Sequence, residues 1–238
     1  MNPQSVRIAP RQGWKALVRV AFPITLPVLF GYVAIGIPFG LMLVKAGYPW
    51  WMSPLMGLCM YAGAGQYLAV GMFAAGAPLP AMAVTMLLVN IRHIVYGLSL
   101  IKQFQGVGAW KPYLVFSLTD ETYALLTGVK LPDGFPPGPF YGTIALLDQS
   151  YWVLGGIIGA LAGAFIPFSF RGIDFALTAL FVVLLMDQLA RSRDPVPPAI
   201  GAACAVAALM LVGPGNMLIA ALAGALVLLA LIRGRKPC

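Results

Sequence analysis

Between Lys45 and Arg92 the chain runs for 46 residues without a charged side chain. As one straight helix that stretch would be about 69 Å long at 1.5 Å per residue, more than twice a hydrocarbon core of about 30 Å. It must fold back on itself, and Ala75-Gly76-Ala77-Pro78-Leu79-Pro80 supplies the turn. A second uncharged stretch, Val196 to Ile232, is interrupted by Gly213-Pro214-Gly215-Asn216 and reads as a hairpin of two spans. Composition points the same way. Only 9% of the 238 residues are charged and 61% are hydrophobic, whereas soluble domains carry about 25% charged residues. The pattern predicts an all-α, polytopic transmembrane helix bundle.

Spans are expected near 22–44, 50–74, 78–101, 112–128, 139–167 and 174–190, with two more in 196–232. That is eight, or seven if either 50–74 or 112–128 is re-entrant. Arg7, Arg11, Lys15 and Arg19 precede the first span, and no acid occurs before Asp120. Basic clusters at 7–19, 191–193 and 233–236 place both termini in the cytoplasm by the positive-inside rule. They also account for the net charge of +8 without nucleic acid. The expected organisation is one integral membrane domain over 1–238. Its parts are a basic interfacial segment at 1–21, a core at 22–165 and C-terminal spans at 166–238. Residues 22–44 lack a small-residue cleavage site and are not read as a removable signal peptide. A faint internal repeat is visible: Tyr32–Gly40 (YVAIGIPFG) echoes Trp152–Ala160 (WVLGGIIGA), and Gln66 precedes Gln188 by a similar offset.

A polar group in lipid costs about 2.5–3.5 kcal/mol even on the lenient insertion scale, so buried polar clusters mark the interior of a bundle. Four stand out. Tyr61-Ala62-Gly63-Ala64-Gly65-Gln66 sets two glycines beside a glutamine, which weakens a helix and frees backbone groups; small-residue packing is the bland alternative. Asn90-Ile91-Arg92-His93-Ile94-Val95-Tyr96-Gly97 puts Asn90 and Arg92 200° apart in rotation about a helix at 100° per residue. That suggests either an unwound helix or one enclosed all round by protein. His93 is the single histidine, so any imidazole relay uses it. Arg92 either serves function or forms a structural ion pair. In Ser117-Leu118-Thr119-Asp120-Glu121-Thr122-Tyr123 the two acids diverge by about 100°. A carboxylate there would pair with Arg92, bind an ammonium or carry a proton, unless the segment is simply wet. Asp148-Gln149 with Tyr151-Trp152 lies well inside a span, whereas Asp187-Gln188 sits near Arg191 and reads as a helix-surface pair. Cys59, Cys204 and Cys238 form neither a disulfide framework nor a metal pattern. No nucleotide-binding loop, metalloprotease motif or nucleophile elbow occurs, so no cofactor, metal or catalytic residue is expected.

The Gly63-Ala64-Gly65-Gln66, Asn90-x-Arg92-His93-x-x-Tyr96-Gly97 and Thr119-Asp120-Glu121 motifs, in that order, resemble the AzlC-type (azaleucine-resistance) branched-chain amino acid permeases. The resemblance covers about residues 15–165. It implies a subunit exporting branched-chain or related hydrophobic amino acids across the cytoplasmic membrane, together with a small AzlD-type membrane subunit. It implies a transporter and not an enzyme. A zwitterionic substrate needs sites for a carboxylate, an ammonium and an apolar side chain. Candidates for contact are Gly63, Gly65, Gln66, Asn90, Arg92, Tyr96, Asp120 and Asp148. Arg92 or backbone N–H groups near Gly63–Gly65 would take the carboxylate, and Asp120 or Asp148 the ammonium. His93, Asp120 and Glu121 are candidates for coupling to a proton gradient. Two alternatives are an intramembrane enzyme using Asn90, Arg92, His93 and Asp120 on a lipid or prenyl substrate, and a non-transporting scaffold for a membrane complex.

Overall fold

The computed structural model describes residues 13–165, 182, 185–186, 189, 194–213 and 217–233. Among them there is helix but no strand. The expected span near 174–190 falls almost wholly outside these residues, as do Arg7, Arg11, Arg171, Asp187, Gln188 and Cys238. Helix α1 covers Trp14–Lys45, α4 Leu79–Ser99 and α7 Pro137–Phe165. These three are long and apolar enough to cross a membrane. Two shorter apolar helices follow, α8 over Val196–Val212 and α9 over Met217–Arg233. The chain is a multi-pass membrane protein.

The two expected spans of lower apolarity or higher glycine content are each broken in two. Residues 50–74 form α2, Met52–Cys59, and α3, Gly63–Ala74. Residues 112–128 form α5, Lys111–Phe116, and α6, Asp120–Gly128, after a 3₁₀ turn at Gly108–Trp110. The longest half, α3, reaches only about 18 Å at 1.5 Å per residue, well short of a hydrocarbon core.

The chain divides into two compact units. The first holds residues 1–66 and 91–168 and contains α1, α2, α5, α6 and α7. Its backbone is the pairing of α1 with α7. On α1 the residues Leu17, Ala21, Thr25, Val28, Tyr32, Gly36, Phe39 and Leu43 are buried at steps of three and four, a single stripe along one face. Lys15 and Arg19 lie within α1. Trp14–Ala21 are the first turns of α1, because Leu17 and Ala21 continue the buried stripe in register. They enter a core with Leu100, Phe104, Leu114, Leu126, Phe140 and Ile144, while Lys15 and Arg19 stay exposed.

Glycines set the distance between α1 and α7. A Cβ on Gly36 would lie 3.0 Å from the backbone nitrogen of Gly156, and one on Gly155 would lie 3.0 Å from the Tyr32 carbonyl oxygen. At Gly40 and Gly159 a Cβ would overlap the opposite backbone outright. This is small-residue packing, in which missing side chains let two helices touch main chain to main chain. The contacts ascend together: Thr25 bonds Tyr151 at 2.9 Å, Tyr32 meets Trp152, Gly36 meets Gly156, and Gly163 faces Val44. The two helices therefore run parallel, and the echoing segments Tyr32–Gly40 and Trp152–Ala160 are the ones that meet.

The second unit holds residues 67–90 and 169–238. In it α8 packs against α9, with Gly224 facing the Cys204 side chain. The expected turn near Gly76 is present: α3 ends at Ala74, α4 begins at Leu79, and Gly76 takes φ +62°, a conformation that disfavours other residues.

Candidate functional site

The polar chemistry of the first unit gathers where the helices break. After Cys59 the chain leaves helical geometry for Met60–Ala62 and resumes at Gly63. A helix end exposes carbonyl groups that inside a membrane must find donors. Gln149 supplies one to Gly57, and Gln66 adds a second to Met56, which already accepts from the Met60 N–H at 2.8 Å. Gln66, fully buried, donates from Nε2 to the Met56 carbonyl at 2.7 Å and accepts from Trp152 Nε1 at 2.7 Å. Gln149 donates to the Gly57 carbonyl at 3.1 Å and accepts from the Tyr113 hydroxyl at 2.8 Å. Gln66, expected as a substrate contact, is thus engaged in holding the break open and fastening it to α7. Trp152 lies over Gly63, whose Cβ would meet its ring at 3.1 Å, and stacks on Phe39 with centroids 5.9 Å apart. Gly65 is buried in the first turn of α3.

The second break, at Ser117–Thr119, ends in a threonine cap. Thr119 Oγ1 accepts from the Thr122 backbone N–H at 3.2 Å, and Asp120 and Glu121 occupy the first turn of α6, where carboxylates meet the positive end of the helix dipole. As the 100° divergence predicts, the two acids face different partners. Glu121 accepts from the Tyr32 hydroxyl at 2.8 Å, and that hydroxyl also contacts Thr119 Oγ1 at 2.6 Å. Thr119 Oγ1 lies 3.1 Å from Thr122 Oγ1, which donates to Asp148 Oδ2 at 2.9 Å. Asp148 is fully buried, and its other oxygen, Oδ1, has no hydrogen-bond partner. The Tyr61 hydroxyl, in the first break, is likewise buried without a partner, among Tyr32, Thr122 and Asp148. A buried polar atom left unpaired costs about 1–3 kcal/mol. Each of the two is an unmet hydrogen-bonding demand in the interior of the first unit.

Asp120 turns to α4. Its Oδ2 pairs with Arg92 at 2.8 Å, and its Oδ1 accepts from the Tyr96 hydroxyl. The Tyr96 ring stacks on Tyr123 of α6 with centroids 4.4 Å apart, and His93 lies 5.9 Å from Tyr96. The Arg92 side chain is 40% exposed, yet its Nε is sheltered and unpartnered. Asn90 also keeps a buried, unpartnered Oδ1. Helix α4 is neither unwound nor enclosed all round, which corrects the reading of Asn90–Gly97. Measured the short way round, Asn90 and Arg92 are about 160° apart, with His93 and Tyr96 between them. Ile91, Ile94, Val95 and Leu98 fill the opposite arc and are exposed. The helix is amphipathic, with one polar face and one apolar face.

The structure therefore joins Arg92, Tyr96 and Asp120 in one cluster and ties Glu121 to Asp148 through hydroxyls. Tyr32, Thr119, Thr122 and Tyr61 are the members that sequence reasoning did not single out as site residues. Thr119 directly ahead of Asp120-Glu121 is an N-cap followed by first-turn acids and was a usable signal. Tyr32 carried none beyond being one of two hydroxyls, with Thr25, in an apolar run. Among the described residues no group of three or more His, Cys, Asp or Glu is placed to hold a metal.

Residues 27–166 match the family described as AzlC protein. The chain belongs to the AzlC family. It is 33% identical over 95% of its length, and 88% of the relative's, to the Bacillus subtilis protein named "Branched-chain amino acid transport protein AzlC". A membrane protein of Helicobacter pylori is 37% identical over 92% of this chain and 96% of its own. The Escherichia coli protein named "Inner membrane protein YgaZ" is 31% identical over 71% of this chain and 72% of its own. No solved structure matches. The likeness to AzlC proteins extends past residue 165, into the C-terminal spans that the motifs alone did not reach.

Proposed function

We propose that this AzlC chain is the large subunit of a secondary transporter that exports branched-chain or related hydrophobic amino acids across the cytoplasmic membrane, driven by the proton gradient. It is a single integral membrane domain, acts as a transporter and not as an enzyme, and works with a small AzlD-type membrane subunit. The observation that carries the reading is the pair of orphaned atoms, Asp148 Oδ1 and the Tyr61 hydroxyl, buried beside a helix break. A substrate ammonium satisfies both, donating to the carboxylate and to the phenol oxygen. Asp120 already pairs with Arg92, which favours Asp148 for the ammonium. The substrate carboxylate goes to the unpartnered Arg92 Nε or to backbone N–H groups near Gly63 and Gly65. Tyr96 and Asp120 hold the guanidinium in place, Asn90 and Gln66 support the two flanking helices, and Glu121, with His93 and Asp120 as further candidates, carries the proton.

The parallel run of α1 and α7 supports an odd number of crossings between them. One re-entrant segment alone would set them antiparallel. Both split helices therefore cross or both return, and we take the former, giving eight spans with both termini inside.

A cell-based test is direct. Cells expressing the chain with its small partner should hold less intracellular valine and survive a toxic leucine analogue, with unchanged lipid composition. Altered lipids with unchanged valine would support the enzyme reading instead.

A further inference from the structure

Four oxygen–oxygen contacts link Glu121 to Asp148: Glu121 Oε2 to Tyr32 at 2.8 Å, Tyr32 to Thr119 at 2.6 Å, Thr119 to Thr122 at 3.1 Å, and Thr122 to Asp148 Oδ2 at 2.9 Å. Each hydrogen bond needs one proton between its oxygens. The three hydroxyls supply three, and two ionised carboxylates supply none. One contact would then set lone pair against lone pair. A fourth proton, on either carboxyl, completes the chain. Completion is possible in two senses. With Glu121 protonated, it donates to Tyr32, Tyr32 to Thr119, Thr119 to Thr122, and Thr122 to ionised Asp148. With Asp148 protonated, every bond reverses and Tyr32 donates to ionised Glu121. Thr119 keeps one acceptor site for the Thr122 backbone N–H in both.

We propose that Glu121 and Asp148 share a single proton through the hydroxyls of Tyr32, Thr119 and Thr122, and that this proton passes between them when the substrate binds. Each hydroxyl receives one proton and gives up one, so all three end neutral. The net change is one O–H bond lost at one carboxyl and one formed at the other.

Burial argues independently for the fourth proton. Asp148 is fully enclosed and, among the described residues, no cation pairs with it or with Glu121; the nearby guanidinium of Arg92 is held by Asp120. Glu121 is half-buried, but an uncompensated carboxylate at Asp148 would be costly, and a second one joined to it by hydroxyls adds to that cost. The remaining titratable groups around them are neutral phenols: Tyr61 from the first break, Tyr113 from α5 and Tyr151 from α7 about Asp148, and Tyr61 with Tyr96 of α4 about Glu121. None supplies a compensating charge.

The inference rests on the proposed transport role in one respect, the identity of what displaces the proton. A substrate ammonium at Asp148 Oδ1 requires Asp148 ionised and so sends the proton to Glu121; departure of the substrate lets it return. One carboxyl thus holds proton and substrate in turn, while the displaced proton stays on Glu121.

Infrared spectroscopy of the purified full chain at neutral pH reads the proton through the C=O stretch of a protonated carboxyl. The wild type should show such a band. Asn at position 148 or Gln at 121 brings its own N–H and completes the chain without a shared proton. Asp148→Asn and Glu121→Gln should therefore each abolish the same band, although they alter different residues. The amide band in the same spectra reports whether each variant remains helical, and both changes are isosteric. A wild-type spectrum without the band, or a band that only one substitution removes, overturns the shared proton. The result is separable from the transport reading: wild-type vesicles that move no valine would sink that reading whatever the infrared spectra show.

Discussion

Gln66 has both ends of its side-chain amide engaged by the protein itself. Its amide gives the buried Trp152 indole N–H its acceptor and adds a second donor to the Met56 carbonyl, which already accepts from the Met60 N–H. Leucine fills the same volume and does neither. Gln66→Leu should lower unfolding stability by about 1–3 kcal/mol, the cost of leaving the buried Trp152 indole N–H without an acceptor, measured by denaturation in detergent. A variant of wild-type stability with only a raised KM would make Gln66 a substrate contact instead. Arg92 and Asp120 form a pair that acts as a unit. Arg92→Gln and Asp120→Asn should each reduce valine flux, and the double variant should lose little more than the worse single one. Fully additive losses would show that the two act separately. At this scale the sequence spoke unevenly. The charge and rotation of Arg92, Asp120 and Glu121 were legible because acids and bases are rare here and helical geometry fixes their directions. The hydroxyl chain was not, because Tyr32 and Thr119 are 87 residues apart and nothing local announces that they meet.

Among the elements, α1 and α7 carry the fold of the first unit through glycine. Gly159→Ala would drive a methyl group into the Ile37 carbonyl and force the helices apart. Overpacking of this kind costs about 1–3 kcal/mol, and the melting temperature in detergent should fall accordingly. Gly31→Ala, on the same helix pair with nothing within 4 Å of the added Cβ, should leave it unchanged or slightly raised. Equal effects at the two positions would contradict main-chain contact between the helices. The long helices were readable because uncharged runs and Pro-Gly turns bound them. The split ones stood out as the two segments either of which would be re-entrant, but the breaks themselves were not located, because hydropathy averages over Met60–Ala62 and Ser117–Thr119. What divides them is the chemistry of their ends, the Thr119 cap and the two glutamines, which a hydropathy window does not register.

For the whole molecule the sense of α1 and α7 fixes a parity. Gly13 and Asp133 precede these parallel helices and belong on one side of the membrane; Gly47, just past α1, belongs on the other. Single cysteines at these exposed positions, in a chain whose native cysteines are replaced, should be labelled from the same side at 13 and 133 and from the opposite side at 47. Labelling of 13 and 133 from opposite faces would rule out the parallel pairing. The faint likeness of Tyr32–Gly40 to Trp152–Ala160 gave no sign that the two segments touch. Likeness between two segments reports shared constraints, and here the shared constraint is the glycine interface itself. The central claim, that a sheltered acid at the helix breaks receives the substrate ammonium, is tested most directly in sealed vesicles containing the chain and its small partner. Labelled valine should cross under an imposed pH gradient with the wild type and fail to cross with Asp148→Asn, although that variant folds. Equal, gradient-driven valine flux in both would contradict the account.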